Sequence, residues 1–78
     1  MSKEFKDLSE LKQNILILSA KFIADWGGSP SMGFIAGRVR PLVTVARIAQ
    51  ALEDLEKDGF IERLPGKKYH KGFRVIEK

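Results

Sequence analysis

The sequence has no cysteine, a single histidine, and no acidic residue between Asp25 and Glu53. Without cysteine there are no disulfides and no thiolate metal sites, a composition compatible with a reducing cytoplasm. With His70 as the one imidazole, a metal role for it has no partner ligand, and most nucleophile–base arrangements are closed. A serine–lysine pair stays formally open, but the carboxylates cluster at one helix end without an acid/base partner. The glycines fit neither a phosphate-loop nor a dinucleotide pattern. The expectation is therefore a protein that is not an enzyme and has no cofactor and no metal. Long apolar runs are also missing. The longest aliphatic stretch, Ile15 to Leu18, is far too short for a membrane span or a signal-peptide core.

What is present suits one small folded domain of 78 residues, 44% apolar and 31% charged. Met1 to Asp7 reads as a frayed lead-in. The net charge of +4 is unevenly placed. Residues 1–58 carry eight Lys/Arg and eight Asp/Glu, which cancel; residues 59–78 carry six against two, which leaves the whole excess there. The acid-free interval holds Arg38, Arg40 and Arg47, so two basic zones flank an acidic stretch, Glu53 to Asp58. Charge clustered in this way suits a polyanion.

Three helices and a hairpin are expected. Asp7 followed by Glu10 resembles a capping box, after which Leu8, Leu11, Ile15, Leu18, Phe22 and Trp26 trace one helical face. Gly27-Gly28 and Ser29-Pro30 stop that helix. Ser31 is a natural N-cap for a short helix from Met32 to about Val39, in contact through Phe34, Ile35 and Val39. Gly33 and Gly37 cost that helix roughly 1 kcal/mol each relative to alanine, unless they permit close helix approach. Arg40-Pro41 breaks the chain. A third helix from about Thr44 to Asp58, stopped by Gly59, has Val45, Ile48, Leu52 and Leu55 as its inward stripe. Strands are expected at Phe60–Leu64 and Phe73–Ile76, with a basic turn, Pro65 to Gly72, between them. This order gives an α+β fold, a winged helix-turn-helix with three helices followed by a two-stranded wing.

Two elements suit nucleic acid. The outer face of the third helix carries Ala46, Arg47 and Gln50 in its first half, and Glu53, Asp54 and Lys57 in its second. A helix entering the major groove by its N-terminal end needs donors and small groups there. The same pattern also describes an ordinary amphipathic helix with a solvated face. In the expected wing, Lys67, Lys68, His70, Lys71 and Arg74 fall within eight residues around Tyr69, suited to a phosphate backbone or a minor groove, or simply to water. The first helix adds a second apolar stripe of Leu16, Ala20 and Ile23 beside Ile17, readable as a wide buried face or as a dimer or partner surface.

The segments FIAGRV, TVARIAQALEDLEKDGFIERL and KGFRVI resemble the N-terminal winged-helix domain of SOS repressors of the LexA type, and more loosely many prokaryotic and phage winged-helix repressors. The resemblance covers roughly residues 11–76 and is strongest at Leu52 to Ile61 and Lys71 to Ile76. It implies a small transcriptional regulator, a repressor occupying an operator, cytoplasmic and nucleoid-associated, with double-stranded DNA as partner. Carried over by position, it implies base contacts from Thr44, Ala46, Arg47 and Gln50. Backbone contacts would come from Arg38, Arg40, Lys67, Lys68, Lys71 and Arg74. It reaches only the DNA-binding part of those repressors, so self-cleavage is not implied. The link Arg40-Pro41-Leu42-Val43 departs from the pattern in being more apolar than a solvent turn. Its surplus, with Leu16 and Ile17, supports the alternative of an adaptor that docks on a larger regulator or polymerase. Either a homodimer or a protein partner is compatible with the first-helix stripe.

Overall fold

A computed structural model describes residues 4–40, 42–63 and 72–76. A 3-10 turn, Phe5–Asp7, leads into α1 (Glu10–Trp26), α2 (Met32–Arg38) and α3 (Val45–Lys57), followed by β1 (Ile61–Arg63) and β2 (Phe73–Val75). The strands pair antiparallel in the register Ile61↔Val75, Glu62↔Arg74 and Arg63↔Phe73. The layout is the expected one of three helices and a hairpin, consistent with a winged helix.

Local chemistry sets each boundary. Ser9, Ser31 and Thr44 cap α1, α2 and α3, their hydroxyls accepting from the backbone N–H of Lys12, Phe34 and Arg47. Gly27 closes α1 at φ 79°. At the end of α3, Gly59 adopts φ 82°, its N–H donating to the Glu56 carbonyl while that of Phe60 reaches back to Leu55. This is a Schellman closure with the apolar pair Leu55 and Phe60 buried beside it.

The core draws on every element: Leu8, then Ile15 and Leu16 of α1, Ile35 of α2 and Val39 after it. Ile48, Ala51, Leu52 and Leu55 of α3 complete it with Phe60, Ile61 and Phe73. Ser29 ties the hairpin to the α1–α2 connection, its hydroxyl accepting from the Phe73 N–H at 3.2 Å.

Several sequence expectations are corrected. The first helix starts after Ser9 and not at Asp7. The Asp7 carboxylate instead accepts from the Glu4 N–H at 3.0 Å, closing a turn over residues 4–7; the first three residues of the expected lead-in lie outside the described residues. Leu16 is core, because α1 packs on α2, α3 and β2 together and buries a wide face; of the proposed partner stripe, Ile17 and Ala20 are exposed and Ile23 is half-buried. Trp26 is 77% exposed, since the last turn of α1 runs past the core. Val45 is 47% exposed because the first turn of α3 stands clear, and Ala51 fills the inward stripe instead. A methyl group at Gly37 would meet nothing within 4 Å, and at Gly33 only the Ser31 hydroxyl at 4.0 Å; neither glycine serves close helix approach. The link divides its surplus: Leu42 is exposed, while Val43 packs against the core. Residues 64–71, which hold the end of the expected first strand and all of the basic turn but Gly72, lie outside the described residues.

Ser19 is fully buried on α1, and its hydroxyl has no hydrogen-bond partner among the described residues. Burying an unpaired hydroxyl costs free energy, and alanine is the better helix former. Ser19→Ala should stabilise the fold by about 1 kcal/mol, read as a rise in thermal midpoint of about 4–8 °C for a domain of this size.

Candidate nucleic-acid interface

The residues expected to read DNA gather where α2 ends and α3 begins. Arg38 is the last residue of α2, and a six-residue link, 39–44, leads to Val45. Thr44 is the cap of α3, its Oγ1 accepting from the Arg47 N–H at 3.3 Å. The bond fixes the start of the helix and leaves the hydroxyl hydrogen free to donate. Ala46, Arg47 and Gln50 are all exposed, and the spacing of 47 and 50 puts both on one face of α3.

Arg38 and Arg40 are held by different means. The Arg38 guanidinium lies over the Phe34 ring, 5.0 Å from its centroid. Phe34 is itself braced edge-on by Phe22 at 4.9 Å, with Trp26 beyond at 6.2 Å. An aromatic ladder thus narrows the rotamer choice of an otherwise free arginine. Arg40 lies in the link, where its carbonyl accepts from the Asn14 side-chain amide of α1. This anchors a stretch of backbone that no helix satisfies.

The ion pairs sort the basic residues into two groups. Lys6 is paired with Glu4, Lys12 with Asp54, Lys57 with Glu53, Arg63 with Glu56 and Arg74 with Glu62. Among the described residues, Arg38, Arg40, Arg47 and Lys21 have no carboxylate partner. The three arginines of the acid-free interval therefore have no compensating carboxylate among the described residues. Arg74 does not: its Nε donates to Glu62 Oε2 at 2.8 Å directly across the hairpin, so a phosphate would have to displace that carboxylate. Lys67, Lys68 and Lys71 lie outside the described residues. So does His70, and no cluster of metal-ligating side chains occurs among those described.

Sequence reasoning missed two residues here. Phe34 looked like a simple core contact, and its role depends on a ring–guanidinium distance no pattern encodes. Val45, assigned inward by periodicity, instead presents an apolar surface beside Ala46. A cleft of about 460 Å³ opens away from this end, between Pro30, Ser31 and Met32 at the start of α2, the Ala49–Glu53 side of α3, and the hairpin. Its charged residues, Glu53 and Arg63, are both committed to ion pairs.

Gln50 is not wholly free. Its amide donates to Asp54 Oδ1 at 3.2 Å, and Asp54 also meets Lys12 of α1 at 3.4 Å. With side chains 21% and 37% exposed, Lys12–Asp54 is the most shielded ion pair described. The Gln50 hydrogen bond, helped by the charges of Lys12 and Lys57, holds the Asp54 carboxyl below the usual aspartate range against a smaller desolvation effect. The unfolded chain binds a proton here more readily than the folded one. The stabilisation is thus complete above the ordinary aspartate pKa of about 3.9 and is lost as pH falls through the lower folded value. Asp54→Asn should flatten the fall in thermal midpoint as the pH drops through and below the ordinary aspartate pKa of about 3.9; an unchanged acid limb would count against the assignment.

No described helix is long and apolar enough to cross a membrane. The sequence matches none of the protein-family models and none of the curated proteins with which it was compared.

Proposed function

We propose that the chain is a winged-helix, sequence-specific binder of double-stranded DNA that regulates transcription, acting as a repressor by occupying an operator. One observation carries this reading: arginines 38, 40 and 47 gather at the α2–α3 end without carboxylate partners, while every other described cation except Lys21 has one. Unpaired guanidinium groups at the entry of an exposed helix suit phosphate and base edges, which they bind bidentately. Arg38 and Arg40 contact the backbone. Arg47 and Gln50 read bases, with Thr44 donating and Ala46 and Val45 offering apolar contact to a thymine methyl. The acidic second half of α3 lies away from the phosphates, and the basic turn from Pro65 to Gly72 contacts the backbone or the minor groove.

The alternative, an adaptor docking on a larger regulator or polymerase, draws on the exposed Trp26 and Leu42. Replacing Arg47 and Gln50 together by alanine separates the two. DNA reading predicts lost sequence preference, each base contact being worth about 1–3 kcal/mol, whereas an adaptor keeps its partner.

Fluorescence anisotropy of a labelled duplex, titrated with salt, tests the electrostatics. Arg38→Ala and Arg40→Ala should each reduce the log–log salt slope by about 0.9, and Lys57→Ala, which removes a paired lysine, should leave it unchanged. No affinity for any duplex even at low salt would sink the proposal. The ladder gives a finer expectation. Phe34→Leu keeps every charge, so the slope should hold while affinity drops about two- to five-fold, the equivalent of one exposed cation–π contact.

A further inference from the structure

We propose that the exposed face of α1 pairs with the same face of a second copy of this chain, antiparallel about a two-fold axis at Ile17. Ile17 is 58% exposed at mid-helix, and Glu10, Ala20, Lys21 and Ala24 around it are exposed too. Neither Glu10 nor Lys21 has an ionic partner among the described residues. They cannot meet within one chain, being about 16 Å apart along the helix at 1.5 Å per residue.

Helical geometry brings them together between copies. With about 100° per residue, Glu10 and Lys21 fall on the same side of Ile17, roughly 20° and 40° from it. Glu10 lies about 10 Å before Ile17 and Lys21 about 6 Å after it. A two-fold axis perpendicular to both helices keeps that side in register and reverses direction, so Glu10 of one copy comes within about 5 Å along the axis of Lys21 of the other. The pair forms twice, as an isologous interface requires. A parallel arrangement would instead set Glu10 against Glu10 and Lys21 against Lys21. On the opposite edge Ala20 and Ala24 are small enough for close approach, and Ile17 meets its own copy at the centre.

One helix face buries less than the roughly 1,200 Å² of a standard interface, so the dimer is weak and concentration-dependent. Its existence does not rest on DNA binding, and its test contains no DNA. Sedimentation equilibrium from micromolar to millimolar protein should show the mass rising from 8.8 kDa toward twice that value. Glu10→Lys and Lys21→Glu should each weaken association about tenfold, since each replaces two attractive contacts by two repulsive ones. The double exchange restores both pairs and should restore the dimer. Circular dichroism verifies that these exposed substitutions leave the helices intact. A mass fixed at 8.8 kDa throughout, or a dimer indifferent to the single reversals, would overturn the inference.

Discussion

Three isoleucines, one from each helix, are fully withdrawn from water: Ile15, Ile35 and Ile48, joined in one cluster by Leu55 of α3. Each buried side chain of this kind contributes about 1.5–3 kcal/mol, a large share of what a domain with no disulfide can muster. Everything else is hung on this junction. The short α2 illustrates the dependence, since seven residues carrying two glycines cannot hold a helix alone. It persists because Ile35 is anchored below and the Ser31 hydroxyl closes its first turn. The direction of Arg38, one turn beyond Ile35, is thus a consequence of packing rather than of helix propensity.

Charge is distributed unevenly around this core. Along α3, acidic side chains begin only after the second turn, and each described one is engaged: Glu53 with Lys57, Asp54 with Lys12, Glu56 with Arg63. These pairs are partly exposed and individually worth little to stability. Their larger effect is subtractive. By occupying lysines and arginines on α1, β1 and the end of α3, they leave Lys21 and the arginines of the α2–α3 end, Arg38, Arg40 and Arg47, as the described cations without a carboxylate partner. Like charges gathered in this way add their fields, so their placement matters more than the net charge of the chain.

Much of this was legible in the sequence because it is local. Ser31 and Thr44 announced their helices by residue type, Gly59 announced a stop, and the missing acids between 25 and 53 marked the face on which Arg38, Arg40 and Arg47 stand unpaired. What was not legible depended on distance in space. Periodicity treats a helix as evenly buried along its length, so Val45 and Trp26, at ends that overrun the core, were assigned inward. Leu16 looked like a second stripe because nothing local says that one helix is covered from three directions. Asp7 and Ser9 compete as caps two residues apart, and the choice was decided by the turn that Glu4 and Asp7 form with each other. Arg74 looked free because its partner Glu62 is twelve residues away and adjacent only through the hairpin register.

Asn14 ties α1 to the link between α2 and α3. A link before a proline cannot continue the helical hydrogen bonding of α2, so its carbonyls need other donors. The Asn14 amide supplies one to Arg40. Since Asn14 stands on α1 three residues before Ile17, the surface inferred to meet a second copy lies one helical turn from the side chain that holds the Arg40 backbone, an arginine proposed above to meet phosphate. A neighbour packed against Ile17 would restrict the Asn14 rotamer and, through it, the backbone that carries Arg40. Association at α1 and order at the start of α3 are therefore expected to favour each other, in the sense that ordering one lowers the entropy still to be lost at the other. Under the proposed function, two copies each presenting one such end would match the two half-sites of a two-fold operator.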